Sequence, residues 1–274
     1  MQQSDPVYNE FVLKFANVNG SGSASANLLC AKALFRMGLP VSPKNIFPSN
    51  IQGMPTWYEI RISESGNLSR RDGIDVMVAM NPQTYMDDRD SVVPGGTLIY
   101  DSTWQRDFER PDINVVGIPI ARLVAAEYSD PRQRQLFKNV IYVGALAALL
   151  DMDFKVLTEL VADQFKGKEK LVLPNIHALE LGHQYAKANL DCPLGIRVQT
   201  ADEVGDKILL DGNTALGLGA IYGGATVAAW YPITPSTSVV DAFEKYAKRM
   251  RIDPGTGKRN YAICLLYTSD AADD

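Results

Sequence analysis

Histidine and cysteine are nearly missing from this chain, at 2 and 3 of 274 residues. Cys30, Cys192 and Cys264 lie far apart and form no Cys-x-x-Cys pair. Neither an iron–sulfur cluster nor a zinc site can therefore be assembled from this chain alone. His177 and His183 are six residues apart on one predicted helix. That spacing does not place them on a common face, so both read as structural and no metal site is expected. Cys30 falls in an apolar helical pattern as a small core residue. So few thiols suit a reducing cytoplasm.

A basic surplus is missing too. The net charge is −5, with no lysine/arginine cluster, which leaves no electrostatic footprint for nucleic acid or a membrane surface. The start, Met1-Gln2-Gln3-Ser4-Asp5-Pro6, has neither a charged nor an apolar leader region, and no secretory signal is expected. One charge-free run, from Thr214 to Val240, could pass for a membrane span. Its apolar part ends at Tyr231, is laden with glycine, and is at the lower limit for crossing ~30 Å of hydrocarbon. A buried helix is the expectation.

What is present describes a soluble globular protein of one large or two ordinary domains, with 46% hydrophobic and 22% charged residues. Phe11–Ala16 reads as a short strand, and Ala24–Met37 as a helix stopped by Gly38. Further strand-like runs are Tyr58–Ile62, Ile74–Met80, Thr97–Tyr100 and Val115–Ile120. Strands alternating with helices predict a mostly parallel sheet with helices on both faces. Residues 122–190 turn helical, with an apolar helix at Val140–Leu150, an amphipathic one at Phe154–Phe165, and another begun by Pro174.

Between the first strand and the first helix lies Asn19-Gly20-Ser21-Gly22-Ser23-Ala24-Ser25. It approaches a dinucleotide-binding fingerprint, but no carboxylate follows until Glu59. An NAD site wants an acidic residue about twenty positions on, so NAD is disfavoured. What survives is a loop with exposed N–H groups at a helix start, suited to a phosphate or to a structural turn. Trp57 and Tyr58, before the next strand, read either as lining a pocket or interface or as packing under a long loop.

A second glycine-rich segment, Gly212-Asn213-Thr214-Ala215-Leu216-Gly217-Leu218-Gly219-Ala220, leads to Tyr231-Pro232-Ile233-Thr234-Pro235-Ser236-Thr237. Glycines in a helical stretch cost roughly 1 kcal/mol each against alanine, which implies close approach of another backbone or a ligand. The two prolines fix the backbone around Thr234, predicting it as an N-cap with Pro235 at the first helical position.

These motifs resemble the start of the pyrimidine-binding domain of 2-oxoacid:ferredoxin oxidoreductases, specifically α subunits that carry a fused γ-type domain ahead of it. The resemblance covers about residues 9–263. It implies an α/β fold: a Rossmann-like γ-type domain at 9–190, a linker at 191–205, and the first part of a thiamine pyrimidine-binding domain at 206–263. It also implies that Tyr231, Pro232, Ile233, Pro235 and Ser236 line the thiamine diphosphate and substrate site, with Thr234 bonding the 2-oxoacid. Many relatives carry Gly-x-Gly-Gly-x-Gly where this chain has the Gly20–Ser23 loop. Gly20, Gly22 and Ser23 are accordingly candidates for coenzyme A binding or for a purely structural turn.

The activity so implied is oxidative decarboxylation of a 2-oxoacid, leaning toward 2-oxoglutarate, with electrons passed to ferredoxin and the acyl group to coenzyme A. A β subunit would supply the iron–sulfur clusters and the diphosphate-binding half of the thiamine site. The thiamine-activating glutamate is expected just beyond the strand starting at Tyr261. Residues 264–274 break the pattern. They can be encoded by a sequence resembling a transposase adapter, so this tail is expected to be a read-through artefact on a truncated gene. The other reading is a non-catalytic phosphate- or coenzyme-A-binding module of doubly wound fold.

Overall fold

The computed structural model describes residues 5–48, 51–106, 108–233 and 236–266. They form two compact units that divide between Lys207 and Ile208.

The first unit is built on a six-stranded sheet. Its strands are β2 (Phe11–Val18), β3 (Val41–Ile46), β4 (Pro55–Ile62), β5 (Ile74–Ala79), β6 (Val92–Asp101) and β7 (Asn114–Ile118), in spatial order β3-β4-β2-β5-β6-β7. β2, β5, β6 and β7 run parallel. β4 pairs antiparallel with both β2 and β3. The mostly parallel α/β sheet expected from the sequence is thus present, with β4 as its one antiparallel member and β3 outside it at the edge.

Helix α1 (Ser23–Arg36) follows β2, and the short α2 (Tyr85–Asp90) follows β5. α3 (Ile120–Glu127), α4 (Pro131–Leu149), α5 (Phe154–Gln164) and α6 (Glu169–Asn189) complete the unit. Asp130 starts α4: its carboxylate accepts from the N–H groups of Arg132 and Gln133 at 2.7 and 2.9 Å, with Pro131 in the first turn. The apolar half of α4 is buried continuously from Val140 to Leu149. It meets α6 so closely that a Cβ on Gly182 would stand 1.9 Å from the Ile141 carbonyl oxygen. Pro174 does not begin α6 as expected. The helix starts at Glu169 and carries Pro174 inside, where one N–H is forfeited but the helix continues.

Phe11, Leu13 and Phe15 of β2 are fully buried, and the Phe15 ring lies 5.6 Å from that of Tyr142 on α4. On the other face Val12, Ala16, Met77, Leu98 and Phe108 form a second cluster. Cys30 is wholly buried, which pushes its thiol up to about 12. His177 contacts Glu127 at 3.2 Å, and the His183 ring lies 4.4 Å from that of Phe154.

Segment 191–205 is tied to the same unit. Strand β8 (Ile196–Arg197) pairs with β1 (Val7–Tyr8), and the Val198 and Ala201 N–H groups donate to Leu150 and Met37 carbonyls at 2.7 and 2.9 Å.

The second unit contains α7 (Gly212–Tyr222), β9 (Val227–Trp230), α8 (Ser236–Met250) and β10 (Ala262–Leu265), with β9 and β10 parallel. Its small core gathers Ile221, Phe243 and Ala247. Cys264 and Leu265, at the start of the tail flagged in the sequence, belong to β10; residues 267–274 lie outside the described residues.

Candidate functional site

The carboxyl ends of β2, β5 and β6 meet on one side of the first unit, the usual place for a ligand in such sheets. There the chain turns from β2 into α1 through Gly20 and Gly22, at φ +85° and +78°. Left-handed backbone favours glycine, and a Cβ on Gly22 would also lie 2.5 Å from Leu136 Cδ2. No side chain caps α1. The parallel partner of β2 is β5 rather than the next strand in sequence, β3, which lies at the sheet edge. The glycines therefore do not open the contiguous βαβ unit of a dinucleotide fingerprint.

Buried amides hold this loop from beneath. Asn139 Nδ2 donates to the Ser21 carbonyl at 2.9 Å, and Asn81 Nδ2 to the Asn17 carbonyl at 3.3 Å. Asn27 Nδ2 donates to Asn17 Oδ1 at 3.2 Å, and Tyr142 Oη donates to Asn27 Oδ1 at 2.7 Å. Above the loop is a cleft of about 260 Å³ whose lining includes Gly20, Gly22, Ser23, Phe47, Thr56 and Tyr58.

Trp57 and Tyr58 both border the cleft, but as neighbours on a strand they point to opposite faces of the sheet. The Tyr58 side chain is 8% exposed on the cleft side. The Trp57 indole N–H donates to Asp88 Oδ1 at 2.7 Å, and Thr84 Oγ1 donates to Asp88 Oδ2 at 2.7 Å. Burial raises the Asp88 pKa, against the lowering effect of those two donors and of Lys14.

A larger groove, of about 1160 Å³, adjoins the loop and is lined by Tyr85, Trp104, Arg106, Arg134 and Lys138 among others. The Arg106 guanidinium lies 4.5 Å from the Tyr85 ring, and Lys138 lies 5.6 Å from that of Trp104. Asp101, at the end of β6, is committed to the N–H groups of Thr103 and Ala121 at 3.0 and 3.1 Å. Sequence reasoning missed this groove because its residues come from β2, β5, β6, α2, α3 and α4 and from the turns between them.

In the second unit, β9 leads into the Tyr231–Ser236 turn and then α8. Tyr231 and Ile233 are 51% and 53% exposed. Ser236 Oγ donates to the Tyr231 and Ile233 carbonyls at 3.0 and 2.6 Å, so its hydroxyl closes the turn. Thr234 and Pro235, the expected cap and first helical residue, lie outside the described residues. Asn213 Nδ2 donates to Ser238 Oγ at 2.7 Å, joining the start of α7 to the first turn of α8. Asp211 caps α7 through the Thr214 N–H and hydroxyl at 2.8 and 2.6 Å. A Cβ on Gly217 would lie 2.6 Å from the Val239 carbonyl oxygen, the close backbone approach that the glycines implied. α7 is not enclosed on all sides as expected: Gly217 and Ile221 are buried, but Leu216 and Tyr222 are 61% and 76% exposed.

Among the described residues no helix is long and apolar enough to cross a membrane, and no group of three or more His, Cys, Asp or Glu side chains could hold a metal.

This sheet, with its glycine loop at the carboxyl end of β2, is the γ-type fold of the oxidoreductases, and the sequence agrees. Residues 12–185 match the pyruvate ferredoxin/flavodoxin oxidoreductase family, and the chain belongs to it. It is similar to 2-oxoacid:ferredoxin oxidoreductase 2, subunit alpha, from Aeropyrum pernix, at 21% identity over 92% of this chain and 46% of that one. Among solved structures it resembles 2-oxoglutarate:ferredoxin oxidoreductase from Magnetococcus marinus, determined with 2-oxoglutarate, coenzyme A and succinyl-CoA bound. That likeness has 28% identity and a TM-score of 0.77, and covers 94% of this chain and 43% of the other. Pyruvate oxidoreductase subunit PORC from Thermotoga maritima shares the fold, at 17% identity and a TM-score of 0.53 over 64% of this chain and 96% of its own. The chain spans about half the length of the curated α subunits it matches.

Proposed function

We propose that this chain works as an α-type subunit of a thiamine-diphosphate-dependent 2-oxoacid:ferredoxin oxidoreductase in the cytoplasm. The observation that carries the reading is the union, in one chain, of a family γ-type unit with the Tyr231–Ser236 turn, which is locked between β9 and α8. Residues 9–190 are the γ-type domain in this reading and 206–263 the pyrimidine-binding part.

Tyr231, Pro232 and Ile233 give the turn an exposed, charge-free rim, which fits a pyrimidine ring better than a diphosphate. The diphosphate grip and the iron–sulfur clusters belong on a β subunit, with ferredoxin as electron acceptor. Thiamine diphosphate, when bound, supplies the electron sink for decarboxylation. The chain's own contribution is to orient the 2-oxoacid. Thr234 would donate its hydroxyl to a keto or carboxylate oxygen of the substrate, with Ser236 bonded to the Tyr231 and Ile233 carbonyls beside it. Removing one such donor typically costs about 3 kcal/mol of barrier.

Gly20, Gly22 and Ser23 are the residues proposed to meet coenzyme A. The lean toward 2-oxoglutarate over pyruvate follows the Magnetococcus marinus likeness. The test is a reconstituted complex of the full-length α subunit with its β partner, assayed for ferredoxin reduction with each acid. Thr234→Ala should lower turnover by two orders of magnitude or more; an unchanged rate removes Thr234 from the site. Failure to co-purify with a thiamine- and iron–sulfur-containing partner would favour the second reading, a non-catalytic phosphate- or coenzyme-A-binding module, for which the loop cleft speaks.

A further inference from the structure

Asparagine inside a helix is a cost that its position has to explain. Asn213 is the second residue of α7, and asparagine ranks well below alanine as a helix former. Its favoured use is the cap, but Asp211 already fills that place, accepting from the Thr214 N–H and hydroxyl at 2.8 and 2.6 Å. The Asn213 side chain reaches another helix instead. Its Nδ2 donates to Ser238 Oγ at 2.7 Å, in the first turn of α8.

That bond lies where the packing of the two helices is least specified. One turn further along α7, a Cβ on Gly217 would lie 2.6 Å from the Val239 carbonyl oxygen and 2.8 Å from the Phe243 nitrogen. Such a contact sets how near the helices come. It offers no side-chain ridge to interlock, so it leaves their sliding along one another unchecked. The Asn213–Ser238 bond supplies this register at the end of α8 that carries the turn. There the Ser236 N–H donates to the Ile233 carbonyl at 2.8 Å, and its hydroxyl to the Tyr231 and Ile233 carbonyls. A shift of α8 is therefore passed directly to Tyr231 and Ile233.

We propose that Asn213 is a positioning residue: through Ser238 it fixes the first turn of α8 against α7, and so sets the place of the Tyr231–Ser236 turn. This rests on the reading of that turn as part of the 2-oxoacid site, and adds to it a residue that acts through α8. Every link in the chain is a directional hydrogen bond. Losing the first link loosens the turn and leaves the core of Ile221, Phe243 and Ala247 packed. Misplacing a substrate-orienting group by about 1 Å can cost about a hundredfold in rate. A loosened turn still visits the right place, so the expected loss is smaller, about tenfold.

The experiment compares Asn213→Ala, Ser238→Ala, the double variant and Ser238→Thr in the reconstituted full-length complex. Alanine is the better helix former at 213, so a loss there does not come from a weaker α7. Each single variant should lower kcat/KM for the 2-oxoacid about tenfold and raise KM for that acid alone. A partly unfolded enzyme would lower kcat and leave KM in place. The double variant should be no slower than either single one, and Ser238→Thr, which keeps the hydroxyl, should restore the rate. Hydrogen exchange in peptides carrying Tyr231, Ile233 and Ser236 should quicken in both alanine variants. Unchanged exchange there, or single effects that multiply in the double variant, would overturn the proposal. So would a slow Thr234→Ala complex beside a wild-type rate for Asn213→Ala. Quickened exchange with wild-type rates in both Asn213→Ala and Thr234→Ala would uphold the tie between the helices and remove the turn from the substrate site, which separates the two failures.

Discussion

Tyr142 on α4 donates its hydroxyl proton to Asn27 on α1 across 2.7 Å, with both residues buried. That bond passes through Asn27 to Asn17 at the end of β2 and so fixes where the glycine loop begins. Tyr142→Phe leaves the Asn27 carbonyl oxygen without this donor in a buried setting. The expected loss is about 1–3 kcal/mol, visible as a lower denaturant midpoint at unchanged m-value. Amide exchange over Gly20–Ser23 should quicken in the same variant.

Gly182→Ala addresses the α4–α6 contact. Its new Cβ would lie 1.9 Å from the Ile141 carbonyl oxygen and 2.8 Å from the Ala145 nitrogen. Both obstacles are backbone, so the helices must part. A destabilisation of about 3 kcal/mol is expected from overpacking of this kind, measured by thermal unfolding of the first unit.

Helices α1 and α5 and the central strands are legible because each carries its own period, whereas α2 carries none and α4 starts nine residues before its apolar run at Val140. The apolar pattern predicts a helix over Ala24–Met37 and α1 runs Ser23–Arg36; the apolar run Phe11–Ala16 marks the core of β2. β3 was not legible. Its sequence, Val-Ser-Pro-Lys-Asn-Ile, carries Pro43 and three polar residues, a pattern that only an edge strand tolerates. Edge position is decided by pairing with β4, ten or more residues away, and no local signal reports it. The start of α6 was misplaced because Pro174 is a helix-start residue by preference, while five residues upstream already propagate the turn. At the site, the glycine loop announced itself by composition. Tyr58's place in the cleft and the Trp104–Lys138 groove depend on which elements are neighbours, and only the fold discloses that.

Asp88 should separate charge from hydrogen bonding. Its pKa is raised by burial. Folding therefore favours the protonated acid, and this contribution is full below the ordinary value of 3.8 and declines as pH rises through the higher folded value. Asp88→Asn should remove that decline and leave neutral-pH stability equal or higher. Asp88→Leu deprives the Trp57 N–H and the Thr84 hydroxyl of their acceptor, and should cost about 2–3 kcal/mol. Chemical denaturation across the acid range checks all three proteins.

Asp211 gives the opposite sign. Although burial would raise its pKa, the Thr214 hydroxyl and N–H hold it below its ordinary 3.8. The cap is therefore fully effective above 3.8 and is lost as pH falls through the lower folded value. Asp211→Ala should cost about 1 kcal/mol at neutral pH. Asp211→Asn should keep most of the cap and lose its acid sensitivity. Hydrogen exchange along α7 provides the readout.

The pairing of Val7–Tyr8 with Ile196–Arg197, reinforced by Asn9 exchanging two 2.9 Å bonds with the Gln199 backbone, brings the ends of the first unit side by side. On a ribosome such a seam closes last, after nearly all of the unit has emerged. Joining the two ends and reopening the chain at an exposed turn such as Gly66, where nothing crowds the backbone, should yield a circular permutant with the same sheet.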